Sequence, residues 1–333
     1  MRRCLLRSKK SDTVRSMQLL PVGIATALAI VVVLFLVSVW LESRALTNPG
    51  GYRQPDPAEF VFTETPETAA GLAYEDVAFE VPSGETVRGW LVPAAQDAKD
   101  IAVVALHGRS GDRRGQLGHL GMLNNLGAGV LLIDMRENGL SDGNARGMAL
   151  GIREAEDAVA AAQELRARGY EKVVLFGCSL GGATAILAAA QDPSIDGVIA
   201  ESAIARFEDF VAEGADRRLG MIGISARWAT AWWAGLVVDH PQRRIGLSSY
   251  GAPADVIEKI APRPVLLIQG GTDRWVAETH AQALKGKGGA GVGYWLIAEA
   301  GHCDGGAFAG DEYRARVAAV IEQVKAAPAS SSR

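Results

Sequence analysis

Two hydrophobic patterns alternate along most of the chain. Short apolar runs of strand length stand at Ile101–Leu106, Gly129–Asp134, Lys172–Phe176, Gly197–Glu201, Pro264–Gln269 and Tyr294–Ala298. Between and after them, helical spacing of apolar positions predicts helices over Arg113–Leu126, Ile152–Arg168, Gly182–Ala190, Ala277–Leu284 and Tyr313–Lys325. Val77–Val81 and Thr86–Val92 flank Pro82-Ser83-Gly84-Glu85, which predicts a hairpin. Apolar strands interleaved with helices imply a mostly parallel sheet covered on both faces. The expected fold class is therefore α/β.

The N-terminus carries a third pattern. Leu19–Leu41 is an uncharged apolar run, which as a helix at 1.5 Å per residue reaches about 35 Å, enough to cross a bilayer. Arg2, Arg3, Arg7, Lys9, Lys10 and Arg15 precede it against the single acid Asp12. That bias places the N-terminus in the cytoplasm and the remainder outside. A cleaved signal peptide is the competing reading. Its apolar region is shorter, about 7–15 residues, and the best processing site here, Ser43-Arg44-Ala45, sits behind Glu42. The expected organisation is a basic segment at 1–18, a single-pass anchor at 19–41 and a Pro/Gly-rich stalk at 42–71. A globular domain at 72–325 and a frayed tail at 326–333 follow.

One stretch breaks the alternation. About 60 residues separate the runs ending at Glu201 and beginning at Pro264, more than a simple crossover needs. They contain Met221, Ile222, Ile224, Trp228, Trp232, Trp233, Leu236 and Val237. Either 205–262 is an ordinary packed helix pair, or it caps a site with its apolar face toward a hydrophobic substrate or the bilayer.

Charge and cysteine content narrow the classes. A net charge of −4 argues against a nucleic-acid surface. Three cysteines make neither a disulfide framework nor a zinc spacing, and no H-E-x-x-H motif is present, so no metal is expected. Cys178 and Cys303 either pair with each other or are two small, partly buried hydrophobes, and the second is the expectation. Gly286-Lys287-Gly288-Gly289-Ala290-Gly291 matches G-x-G-x-x-G but follows a helix and precedes a strand, the reverse of dinucleotide order. No cofactor is expected.

The pattern G-x-S-x-G occurs twice, at Gly177-Cys178-Ser179-Leu180-Gly181 and at Gly139-Leu140-Ser141-Asp142-Gly143. With 39 glycines in the chain the pattern is cheap, so context decides. A nucleophile elbow needs a strand, a tight turn and a helix. Ser179 follows a β-prone run and precedes an alanine-rich helix former, whereas polar, breaker-rich residues flank Ser141. Ser179 is the expected nucleophile. Cys178 could serve only if the elbow exposed the residue before its centre, and it does not.

A serine hydroxyl needs an imidazole to take its proton and a carboxylate to orient that imidazole. Of five histidines, His119 and His280 fall in predicted helices, His240 in the insertion, and His107 before Gly108, where backbone is the useful part. His302 remains, on a glycine-rich loop after the last predicted strand. Asp273 follows the strand 264–269, where it also suits a helix N-cap near Trp275. Glu201, Asp134 and Asp304 are its rivals. The order Ser179, Asp273, His302 is the Ser…Asp…His order of one hydrolase class.

"ALHGRSGDR" (105–113), "LLIDMRENGLSDG" (131–143), "LFGCSLGG" (175–182), "LLIQGGTDRWV" (266–276) and "AGHCD" (300–304) together resemble the α/β-hydrolase superfamily, in particular its membrane-anchored, serine-hydrolase-like members. The resemblance covers about Leu72 to Lys325. It implies the α/β-hydrolase fold, with a mostly parallel eight-stranded sheet, and an oxyanion hole from the backbone N–H groups of Arg109 and Leu180. Relatives often read Asp-x-Arg-Gly-x-Gly-x-Ser in the second motif; here Glu137-Asn138 replaces the first Gly-x, and Ser141 belongs to a structural loop. The expected activity is cleavage of an ester, thioester or amide of a small-molecule or lipid-like acyl substrate through an acyl-enzyme. Acyl transfer on the same residues, or a silent hydrolase fold used for binding, are the alternatives. The anchor and the tryptophans motivate an expectation of lipid-linked or envelope substrates.

Overall fold

The computed structural model describes residues 5–47, 62–143, 147–221, 227–244 and 251–328. Most of the expected stalk (48–61), Ile222 and Ile224, the His240 side chain and the end of the tail lie outside the described residues.

Eight strands form one sheet: β1 (Glu75–Glu80), β2 (Thr86–Val92), β3 (Ala102–Leu106), β4 (Gly129–Asp134), β5 (Val173–Cys178), β6 (Gly197–Glu201), β7 (Val265–Gly270) and β8 (Val292–Ile297). Their order is β1-β2-β4-β3-β5-β6-β7-β8. The expected hairpin β1–β2 is antiparallel and joins β4 antiparallel, while every pairing from β4 to β8 is parallel. β3, β4, β6 and β7 are buried along their whole length, which is why they read as continuous apolar runs and not as alternation.

Helices cover both faces. α1 (Leu5–Thr47) and the one-turn α2 (Pro66–Ala70) precede the sheet. α3 (Leu117–Asn125) and α10 (Gly305–Ala326) pack on one face. α4 (Glu154–Ala167), α5 (Leu180–Gln191) and α9 (Glu278–Gly288) pack on the other. From β1 onward, each element that the sequence delimits lies within a few residues of its expectation except α10. It starts at Gly305 and not Tyr313, because Gly305, Gly306 and Gly310 break its apolar period; Gly310 itself kinks it at φ 44°.

The insertion holds α6 (Phe207–Gly220), α7 (Arg227–Arg244) and the short α8 (Pro253–Val256). α6 and α7 form a helix pair, and α1 packs against α7. Phe35 stacks on Trp232 with centroids 5.2 Å apart, and the Trp233 Nε1–H donates to Ser38 Oγ at 3.1 Å. The tryptophan-rich period is thus spent partly on the N-terminal helix, while Trp228 stays 82% exposed.

Residues 24–47 of α1 are long and apolar enough to span a membrane, with mean hydropathy 2.8. The expected boundary at Leu41 needs correction. Residues 42–47 do not begin a stalk; they continue α1 and dock on the domain. Ser43, Leu46 and Thr47 are buried. The Met148 N–H donates to Thr47 O at 2.8 Å, and Arg218 pairs with Glu42 at 2.7 Å. At the far end of that expected stalk, Phe62 packs edge-on to Trp90 at 4.7 Å. A processing site at Ser43-Arg44-Ala45 would cut through these packed turns. We therefore expect intact-mass analysis of the protein extracted from membranes to find α1 retained. A soluble product beginning near Leu46 would contradict that.

Candidate active site

The expected residues all emerge at the C-terminal ends of parallel strands. Arg109 follows β3, Ser179 follows β5, Asp273 follows β7 and His302 follows β8. Open α/β sheets place their sites at this edge because the βα loops converge there.

Ser179 sits at φ 57°, ψ −116°, a conformation disfavoured for a residue with a Cβ, and only 8% of it is exposed. Such a backbone costs about 1–3 kcal/mol. The two glycines explain how it is held. A Cβ on Gly177 would lie 2.2 Å from Gly181 O, and one on Gly181 would lie 2.3 Å from Leu106 O. Strand, turn and helix meet with no room for side chains. The Ser179 N–H donates to Glu201 O at 2.8 Å, which fixes the turn to the next strand.

Asp273 and His302 are in direct contact: Nδ1 of His302 lies 2.8 Å from Asp273 Oδ2. The other oxygen, Oδ1, accepts the N–H groups of Trp275 at 2.8 Å and Val276 at 3.0 Å. Burial by itself raises the Asp273 carboxyl, but the hydrogen bond with His302 and those two backbone donors outweigh it, and the group is held below its ordinary value. With Asp273 ionised, Nδ1 of His302 carries the proton and Nε2 is left as the acceptor. The carboxylate caps the turn at Trp275 and not α9, which starts later at Glu278.

Among the described residues Ser179 Oγ has no hydrogen-bond partner. Such contacts in ligand-free sites are often long and tighten when substrate binds. What joins the serine turn to the histidine loop is covalent. Cys178 and Cys303 form a disulfide with Cα atoms 5.9 Å apart. This corrects the reading of the two cysteines as small hydrophobes. The available signal was positional, since one cysteine precedes Ser179 and the other follows His302. Cys178, His302 and Cys303 place three donor atoms within 4.8 Å, but both sulfurs are bonded to each other and supply no thiolate.

The rejected alternatives have structural roles. The Ser141 hydroxyl donates to Asp134 O at 2.5 Å and accepts the Arg88 N–H at 2.8 Å, buried in its loop. In that loop Glu137 adopts φ 65° at the place of the first glycine in the motif it resembles, and a Cβ on Gly139 would lie 2.1 Å from the Asp134 carboxylate. The departed motif therefore keeps its left-handed turn, at the modest strain of a non-glycine residue. Asp134 holds the Arg113 guanidinium at 2.8 Å. His107 Nε2 accepts the Met135 N–H at 3.0 Å, and its Nδ1 lies 2.8 Å from Gly108 O. Burial drives His119 down to about 4.

Glu201 is more than a failed rival. Its Oε1 accepts the Gly305 N–H at 2.8 Å and its Oε2 accepts the Tyr313 hydroxyl at 2.6 Å, with burial pushing its pKa up. Next to it, Ser202 Oγ accepts the Cys303 N–H at 3.3 Å. Both residues brace the loop that carries His302. Sequence reasoning missed this, because only the fold brings the end of β6 beside that loop.

The oxyanion expectation rests on close approach. A Cβ on Gly108 would lie 3.6 Å from the Ser179 Cβ, so the loop after β3 runs against the serine. Arg109 follows Gly108, and Leu180 opens α5, where backbone N–H groups lack helical partners.

The model of the alpha/beta hydrolase family matches residues 103–320. An uncharacterized protein of Mycobacterium tuberculosis is 28% identical over 236 residues, covering 70% of this chain and 73% of the relative. A polyketide transferase of Stachybotrys chlorohalonatus is 32% identical over 135 residues, 39% of this chain and 45% of its own. Among solved structures, an esterase of Pyrococcus furiosus superposes with a TM-score of 0.65 at 20% identity, over 82% of this chain and 99% of that one. At that identity the likeness concerns the fold.

The depressed Asp273 carboxyl has a consequence for stability. Because its folded value lies below the unfolded one of about 4, its contribution is complete above that value and is lost as pH falls through the folded value. Asp273→Asn should therefore lower the melting temperature at neutral pH, with the gap to wild type closing as pH drops below about 4. Thermal melts across that range check it; a gap independent of pH would contradict an ionised Asp273.

Proposed function

The chain belongs to the alpha/beta hydrolase family, and from that premise we propose that it is a serine hydrolase acting on an ester, thioester or amide. The observation that carries this reading is Ser179 strained at the elbow beside a loop whose His302 is hydrogen-bonded to buried Asp273. Ser179 Oγ attacks the acyl carbonyl as His302 Nε2 takes its proton. The carbonyl electron pair moves onto oxygen, where the N–H groups of Arg109 and Leu180 hold it, each such donor being worth about 3–4 kcal/mol. Collapse expels the leaving group, which takes the proton from His302. Water then repeats the sequence on the acyl-enzyme, and Asp273 offsets the imidazolium charge in both halves. No cofactor enters the scheme.

Acyl transfer to an acceptor other than water uses the same residues. The similarity to a polyketide transferase keeps that reading in view. It differs only in what attacks the acyl-enzyme.

The proposed location is a membrane, crossed once, with the N-terminus cytoplasmic and the hydrolase domain outside. Six basic residues before the apolar run against one acid support the orientation. The Cys178–Cys303 disulfide supports it independently, since such bonds persist in oxidising compartments.

A fluorophosphonate probe should label the wild-type protein, and Ser179→Ala should abolish labelling while Ser141→Ala retains most of it. Labelling that survives Ser179→Ala in folded protein would remove Ser179 from the role. For the topology, protease added to cells stripped of their outer barrier should digest the domain and spare Met1–Arg15. Full protection would place the site in the cytoplasm.

A further inference from the structure

A cavity of about 490 Å³ opens beside the oxyanion loop, between the end of α1, helices α6 and α7, and the turn after Asp273. Its walls combine two chemistries. Leu46, Val211, Met221 and Trp275 give it an apolar lining. Arg109, Arg217, Arg218 and Arg274 place four guanidinium groups around it, against the single carboxylate of Glu42. Arg218 is paired with that carboxylate at 2.7 Å. The other three have no carboxylate within salt-bridge distance among the described residues. Arg109 donates to Ala45 O at 3.1 Å and Arg217 to Trp275 O at 3.3 Å, both neutral carbonyls. Burial lowers the Arg109 pKa, with Glu42 the charge that opposes it. Arg109 is half-buried, while Arg217, Arg218 and Arg274 stand exposed at the cavity mouth, and the Arg217 charge also acts on Glu213. A ligand anion entering the cavity would meet four guanidinium groups, three of them without a salt-bridge partner among the described residues.

The cavity wall includes sequence neighbours of the site residues. Arg109 directly follows Gly108, whose position runs against Ser179, and Arg274 and Trp275 directly follow Asp273. We propose that this cavity is the acyl-substrate subsite and that it selects amphiphilic esters carrying an anionic group. The hydrocarbon lies on Leu46, Val211 and Trp275, and the anion on the guanidinium groups of Arg109, Arg217 and Arg274. The proposal rests on the serine-hydrolase reading and adds the substrate's charge to it. Trp275 and Met221, 62% and 86% exposed, stand on the cavity wall, where a chain entering from a lipid phase would meet apolar surface first.

The test uses the full chain in neutral detergent and two esters of equal chain length, p-nitrophenyl hexanoate and the mono-p-nitrophenyl ester of adipic acid. They differ in a terminal carboxylate. We expect kcat/KM for the anionic ester to exceed that for the neutral one by at least about tenfold, the worth of a charge-assisted hydrogen bond. The preference should shrink as salt is raised. Arg274→Gln and Arg109→Gln should each bring the ratio down, and together bring it near one; a ratio within one protein is insensitive to loss of folded material. A second arm reconstitutes the chain in phosphatidylcholine vesicles containing a minority of phosphatidylglycerol and follows fatty-acid release. Preferential release from phosphatidylglycerol upholds the proposal with a bilayer lipid as the source, and a preference confined to the soluble pair upholds it with a soluble ester. Equal turnover of both esters and no lipid preference overturns the subsite while the hydrolase reading stands. Absence of turnover together with absence of fluorophosphonate labelling overturns both.

Discussion

Everything at this site depends on how closely the turn between β5 and α5 can approach the end of β3. Gly181 permits it, since a Cβ there would lie 2.3 Å from Leu106 O, and Gly177 lets the turn close on itself, 2.2 Å from Gly181 O. No side-chain adjustment relieves a clash with backbone, so the approach is all or nothing. Once it is made, Ser179 is forced to φ 57°, and the strain is carried by the buried strands on both sides. The same approach sets Gly108, and with it the loop to Arg109, against the serine. The proposed nucleophile and the proposed oxyanion donors are thus two results of one steric fact.

The histidine loop has a steric approach of its own, since a Cβ on Gly270 would lie 2.0 Å from Gly301 O, and it is tied further by specific bonds. Asp273 holds the imidazole, Ser202 and Glu201 hold the backbone of Cys303 and Gly305, and the disulfide joins the loop to the residue before Ser179. These ties come from three different strand ends. A chain can lose one and keep the imidazole roughly in place, which a single hinge would not allow. Glu201 contributes here because it is buried and fully engaged, the state in which a carboxylate stabilises local structure and is least free to do acid–base work.

Elements whose determinants are local were legible in the sequence. The strands buried on both faces announce themselves as unbroken apolar runs, and the elbow as a strand–glycine–serine–glycine–helix series. Asp273 and His302 were legible through their positions after β7 and β8. What escaped was non-local. The Cys178–Cys303 bond joins residues separated by 125 positions, and nothing in their spacing distinguishes a pair from two buried thiols. Glu201 reads as a rival acid because its partners Gly305 and Tyr313 lie more than a hundred residues away. The start of the stalk was read too early for another reason. Glu42, Ser43 and Arg44 end the hydrophobic run, and composition registers a change of solvent, whereas the backbone only requires that the helix hydrogen bonds continue.

That continuation changes what the tether does. A 30-residue stalk, if extended at about 3.3 Å per residue, would let the domain roam as far as about 100 Å from the bilayer. The helix instead runs unbroken to Thr47, whose carbonyl is bonded to Met148, and its last turns form a wall of the arginine-lined cavity. At 1.5 Å per residue, the step from Leu41 to Leu46 is only about 8 Å. In the proposed topology the cavity is therefore held at the level where lipid head groups lie, in one orientation, without a flexible joint. Anchor and subsite are then parts of one device. In that topology the contacts of α1 with α7, Arg109 and Arg218 would keep the domain upright, and the same surfaces would line the proposed path of an amphiphile to Ser179.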